Sequence, residues 1–133
     1  QECGWDVRCG ADGGGLRLVG QAVCGGMKAA TWCLIVNISS SSEQTGSNGM
    51  IAYSASKGAV VTMTRSMAQE FGPHGITVNN IPPGSVMGTI MSEANRDRFQ
   101  IPTEVLLGTI PVRRLGEVAA LAHACSYLCS EGA

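Results

Sequence analysis

Two short apolar runs, "CLIVNIS" at 33–39 and "GITVNNI" at 75–81, constrain the fold more than any other feature. The first is continuous and rich in β-branched residues, the pattern of a strand covered on both faces, as in parallel sheets. Between the two runs, from 52 to 71, Val60, Thr64, Met67, Ala68 and Phe71 recur at steps of three and four and draw one apolar stripe along a helix. Gly72 and Pro73 stop that helix, and "PPG" at 82–84 ends the second strand abruptly. Strands alternating with helices place the chain in the α/β class with a parallel sheet.

The remaining segments are less sharply written. Residues 1–20 are glycine-heavy, have no period, and read as irregular. Residues 21–29 predict a short helix, weakened by Gly25 and Gly26. Residues 39–49 are a loop of small polar residues. Residues 85–112 predict a loop with one short helix. Leu115, Val118, Ala119, Ala122, Cys125, Leu128 and Cys129 mark a closing amphipathic helix over 115–129. No repeat and no linker divides the 133 residues, so one domain over 1–133 is expected.

With 44% hydrophobic and 14% charged residues the chain has enough apolar material for a core, and a net charge of −1 gives no reason to expect nucleic acid or a membrane surface as partner. No apolar run approaches the roughly 18 residues of a spanning helix. The start, "QECGWDVRCG", has neither the basic nor the apolar region of a secretory signal, so a cytoplasmic chain is expected. The six cysteines show neither CxxC spacing nor a nearby histidine pair, and are expected to be reduced, mostly buried thiols rather than metal ligands.

One motif calls for a chemical explanation. In "YSASK", 53–57, Tyr53 and Lys57 stand one helical turn apart with only small residues between them. The plain alternative is a packed tyrosine beside a solvated lysine. The chemical reading is an acid–base pair. An ordinary phenol keeps its proton at neutral pH, and an ammonium one turn away favours the phenolate.

The surroundings of this motif resemble the short-chain dehydrogenase/reductase family, including its 3-oxoacyl reductase-like and hydroxysteroid dehydrogenase-like members. "NISS" at 37–40 closes a strand, Ser40 lies thirteen residues before Tyr53, "YSASK" fits YxxxK, and "GITVNNIPPG" is similar to the family's next strand and Pro-Gly turn. "PVRRLGEVAALAHACSYLCSEGA" resembles its closing helix region, and the likeness covers 21–133. The resemblance implies NAD(P)-dependent hydride transfer between an alcohol and a carbonyl, with NAD or NADP as cofactor and a small-molecule substrate. It implies Tyr53 as acid/base, Lys57 as its electrostatic partner and a ligand of the nicotinamide ribose, and Ser40 as a hydrogen-bond donor to the substrate oxygen. It also implies that Pro83 and Gly84 lie beside the nicotinamide. Thr89 stands one place later than the family's cofactor-contacting threonine, with Gly88 at the expected place. Residues 85–110 correspond to the substrate lid, where Met87, Ile90 and Met91 either line an apolar pocket or belong to the core.

The sequence also departs from that family. The expected fold is a partial Rossmann-like parallel sheet with flanking helices, lacking the N-terminal nucleotide-binding strands. No TGxxxGxG loop is present, and Gly13, Gly14 and Gly15 have the wrong spacing and context to cradle a pyrophosphate. Trp5, Asp6, Gln21, Ala22 and Val23 fit a family stretch that puts Asp12 where an asparagine often stands. A fragment, a degenerate copy, or part of an assembly all fit. The resemblance further implies a homo-oligomer through the helices at 21–29 and 53–71. The competing expectation is therefore a non-catalytic, oligomer-forming remnant of the family.

Overall fold

The computed structural model describes residues 14–30, 33–131 and 133. In chain order the elements are α1 (Gly15–Ala30), β1 (Cys33–Ile38), α2 (Ser42–Thr45), α3 (Ile51–Phe71), β2 (Ile76–Ile81), α4 (Ile90–Phe99), α5 (Thr103–Thr109) and α6 (Val118–Leu128), with a 3-10 turn at Gly72–His74. β1 and β2 pair in parallel, from Cys33 opposite Ile76 to Ile38 opposite Ile81. Helix α3 supplies the crossover, so its first turn lies at the carboxyl ends of the strands.

Period-two alternation puts Cys33 and Ile35 on the same face as their register partners Ile76 and Val78. Against that face pack Met67, Ala68 and Phe71 of α3 and Met27 of α1. The stripe read from the sequence is therefore the seat of α3: Val60, Val61, Thr64 and Phe71 are buried. Lys28 of α1 sets its ammonium 5.3 Å from the centre of the Phe71 ring. Helix α6 packs against both strands. The step from α3 into β2 turns on Gly75, whose φ of 73° lies in the left-handed region and whose N–H bonds to the Gly72 carbonyl.

Four sequence expectations need correction. Residues 15–20, read as irregular, are helical and extend the weak helix at 21–29 to Gly15–Ala30. Gly20 is buried on this helix, and a Cβ there would stand a tight 3.2 Å from Met67 Cε, the flexible end of a side chain on α3. Arg17 also bonds to Gln21 one turn on, at 2.8 Å. Residues 85–112 hold two helices, α4 and α5, rather than one. The closing helix spans Val118–Leu128. Leu115 lies before it, and Val118 is exposed. Among the described residues with resolved side chains, Cys33 and Cys125 are half-buried free thiols and Cys129 is an exposed one, so the thiols are less buried than expected. The Cys129 thiol is pushed above its ordinary range, first by removal from water and then by the neighbouring Cys125. Cys3, Cys9, Trp5, Asp6, Asp12 and Gly13 lie outside the described residues.

Phe71 carries the floor of this core, at 6% exposed. Phe71→Ala is expected to destabilise the chain by about 3–5 kcal/mol, read as the shift of a urea unfolding curve. Gln69→Ala, exposed on the same helix, is expected to stay within about 0.5 kcal/mol.

Candidate active site

The site grows from the way the two strands end. Past β1 the chain stays attached to the end of β2: the Ser39 N–H donates to the Ile81 carbonyl at 3.0 Å, and the Ser41 N–H to the Pro83 carbonyl at 2.9 Å. A Cβ on Gly84 would lie 3.7 Å from Ser41 Oγ. The serine loop and the Pro-Gly turn are thus one continuous edge at the carboxyl ends of a parallel sheet, where α/β folds hold their ligands.

Ser40 sits half-buried in that edge. Its Oγ accepts from the Ser42 N–H at 3.3 Å and from the Ser42 hydroxyl at 3.0 Å. A hydroxyl has two acceptor positions and one proton. With both acceptor positions used by Ser42, the Ser40 proton is the part left to point at a ligand oxygen. Neither bond comes from a histidine or a carboxylate, so nothing activates Ser40 as a nucleophile.

The first turns of α3 bring the other two groups. Tyr53 and Lys57 share a face, with the Lys57 ammonium 5.8 Å from the centre of the Tyr53 ring. Lys57 Nζ also reaches the carbonyl of Ile38, the last residue of β1, at 3.5 Å. The ammonium is therefore aimed at the strand end that leads into Ser40. The Tyr53 hydroxyl lies 4.0 Å from Met91 Sδ on α4. The small residues between the pair do different work. Ser56 is fully buried and donates to the Tyr53 carbonyl at 2.8 Å, which lets α3 lie close to its neighbours. The Ser54 hydroxyl is buried with no hydrogen-bond partner.

Thr89 is the N-cap of α4. Its Oγ1 accepts from the Ser92 N–H at 3.0 Å, and the Ser92 hydroxyl accepts from the Thr89 N–H at 3.2 Å, a reciprocal capping box. Gly88 before it adopts a φ of 72°, a conformation a threonine would hold only under strain. Met87, Ile90 and Met91 are more than half exposed and so do not belong to the core. Ser40, Tyr53, Lys57, Pro83, Gly84 and Thr89 all lie at the carboxyl end of the sheet or on the segment leading from it. Sequence reasoning missed Ser42 as the orienter of Ser40, and missed Asn80, whose signal was an amide inside an apolar strand pattern. Among the described residues no three His, Cys, Asp or Glu side chains gather to hold a metal, and no helix is long and apolar enough to cross a membrane.

Comparison with known proteins gives this geometry a family. Residues 5–133 match a family model described as Enoyl-(Acyl carrier protein) reductase. The chain is 37% identical over 113 residues to the 3-oxoacyl-[acyl-carrier-protein] reductase of Pseudomonas aeruginosa, covering 85% of this chain and 44% of that protein. It is 34% identical over 127 residues to the acetoacetyl-CoA reductase of Cupriavidus necator, covering 96% and 50%. The chain thus spans about half the length of the curated relatives it matches. Among solved structures, levodione reductase superposes with a TM-score of 0.84 at 28% identity, over 90% of this chain and 48% of that one. An NAD+-bound xylitol dehydrogenase superposes with a TM-score of 0.74 at 26% identity, over 79% and 45%. Fold, motif spacing and these matches agree: the chain belongs to the short-chain dehydrogenase/reductase family.

Proposed function

We propose that the chain carries the reacting half of an NAD(P)-dependent oxidoreductase that interconverts an alcohol and a carbonyl, with Tyr53 as acid/base. The observation that carries this reading is the position of Lys57. Its ammonium stands beside the Tyr53 ring and points at the strand end that becomes the Ser40 loop. In the reducing direction Tyr53 gives its proton to the carbonyl oxygen while the Ser40 hydroxyl donates to the same oxygen and stabilises its developing charge. The Lys57 ammonium stands beside the ring that gives up the proton. In the oxidising direction the same proton returns to Tyr53.

The residues present fit the nicotinamide end of the cofactor. Lys57 offers an ammonium to ribose hydroxyls, and Gly84 brings a turn with no side chain to the strand ends, with only Ser41 Oγ near its missing Cβ. A bound nicotinamide would supply or take the hydride. Two related structures were solved with NADP and with NAD+. The diphosphate end fits less well. Among the described residues neither strand leads through a glycine-rich turn into a helix, since β1 runs through serines to α2 and β2 through Pro82, Pro83 and Gly84 towards α4. The exposed Met87, Ile90 and Met91 suit a carbonyl attached to an apolar chain. Relatives named for 3-oxoacyl and acetoacetyl thioesters support that substrate class.

Tyr53→Phe tests the acid/base role. It removes the proton and little else, so turnover of a 3-oxoacyl thioester with saturating reduced nucleotide should fall about 10²–10⁴-fold. Nucleotide affinity should change less than about twofold. An active Tyr53→Phe chain would overturn the assignment.

Dinucleotide affinity tests whether the cofactor site is complete in this chain. Losing several charge-assisted hydrogen bonds at about 1.5–3 kcal/mol each weakens binding by several orders of magnitude. The 133-residue chain alone is therefore expected to bind NAD and NADP only weakly by titration calorimetry, and Lys57→Ala should remove what binding there is. Micromolar binding abolished by Lys57→Ala would instead reveal a complete cofactor site, shared between copies of the chain.

The second reading, an oligomer-forming remnant, draws on the surface. Leu18 and Val19 on α1 and Ile51 on α3 are exposed, and the residues of β1 other than Asn37 are only partly covered or exposed. Both readings include a homo-oligomer. Sedimentation at micromolar concentration should show a dimer or larger, and a cooperative monomer would count against it.

A further inference from the structure

Asn80 breaks the apolar pattern of the sheet face that α3 covers. Ile76 and Val78 precede it on that face, and its register partner across the sheet is Asn37. The two amides are satisfied differently. Asn37 is buried and donates to Thr64 Oγ1 at 2.9 Å, and Thr64 passes its own proton to the Val60 carbonyl at 2.8 Å. Asn80 donates to Ser39 Oγ at 2.8 Å, while its Oδ1 is buried with no partner. Rotating the amide by half a turn would only exchange which of its atoms is orphaned. A buried amide that is half unpaired costs stability, and an apolar residue of similar size would avoid that cost. What Asn80 contributes in return is its bond to Ser39.

That bond falls on a sensitive residue. Ser39 is 3% exposed and directly precedes Ser40. Its N–H is tied to the Ile81 carbonyl and its hydroxyl to Asn80, so successive residues of β2 clamp its main chain and its side chain. On the far side of Ser40, the Ser41 N–H is tied to Pro83. We infer that Asn80 is a positioning residue: by holding the Ser39 hydroxyl it fixes the orientation of Ser40. It touches no reacting atom. Its consequence for turnover rests on the oxidoreductase reading above, whereas its effect on the loop does not.

The Ser42 amide is a direct reporter, because it donates to Ser40 Oγ. The test is amide hydrogen exchange, followed by NMR on the 133-residue chain, with Asn80→Leu and Ser39→Ala. Asn80→Leu keeps the branched shape, with two larger methyl groups, and removes the orphaned oxygen. Exchange at Ser41 and Ser42 should quicken about tenfold, the worth of one net hydrogen bond, while Val78 exchange and the melting temperature hold or rise. Ser39→Ala should give the same pattern, and the double variant no more than either alone. In the reductase assay kcat should fall about tenfold with KM unchanged. Unchanged exchange at Ser41 and Ser42 would overturn the inference. So would exchange that quickens at Val78 in step with a falling melting temperature, which marks a purely structural role. Should Asn80→Leu fail to fold, Ser39→Ala decides alone. A loop that loosens as expected while Tyr53→Phe leaves turnover unchanged would support the positioning role and overturn the oxidoreductase reading.

Discussion

The ladder between β1 and β2 does not stop where the strands stop. Ser39 and Ser41 continue it onto Ile81 and Pro83, so the loop that follows one strand is bonded to the turn that follows the other. The Ser40 loop and the Pro83–Gly84 turn are held together by that continuation. It turns two loops, which would otherwise move separately, into one edge with a fixed direction. The helix between the strands then has to bring its own first turn to the same edge. Here the lengths matter. Helix α3 has 21 residues and spans about 31 Å, whereas a six-residue strand spans about 20 Å. Phe71 is committed to the floor beside Ile76. The surplus of about 11 Å therefore projects past the carboxyl ends, and it contains Tyr53 and Lys57.

The interior changes character along the same axis. Towards the amino ends of the strands the packing is apolar, with Phe71, Ile76 and Val78 in one cluster. Towards the carboxyl ends neutral polar groups are buried beside Ile81: Asn37, Ser39, Ser42 and Ser56. Apolar burial supplies most of the stability but is nondirectional. Hydrogen bonds add little net energy each, yet they fix angles. The end that carries the Ser40 loop is built largely from the directional kind, and the Asn80 amide there keeps its bond to Ser39 with its oxygen unpartnered.

What could be read in the sequence was whatever repeats or has a fixed spacing. The two strand runs, the stripe from Val60 to Phe71 and the thirteen- and four-residue spacings are periodic or metric, and the structure puts those residues on the expected elements. What could not be read depends on neighbours distant in the chain. The helix over residues 15–20 brings Gly20 against Met67, 47 positions on, a meeting that no local pattern announces. The small residues of "YSASK" suggest open room, but Ser56 is wholly interior, because α3 presses against its neighbours there. The role of Thr89 as a helix cap needed the location of α4, which a weakly periodic segment does not announce.

That segment also behaves differently from the floor it covers. Neither α4 nor α5 buries a residue. Helix α4 is held at its start by its own capping box, and it meets Tyr53 through a 4.0 Å contact to a thioether, a weak acceptor. Elements with so little buried surface open at low free energy, while the strands and α3 open only with the core. The Tyr53 hydroxyl therefore lies between a rigid support below, set by α3 and the Lys57 contact to Ile38, and a loosely seated methionine above. That difference in burial gives Tyr53 one firm support and one replaceable apolar cover, without any special flexibility in the residues themselves.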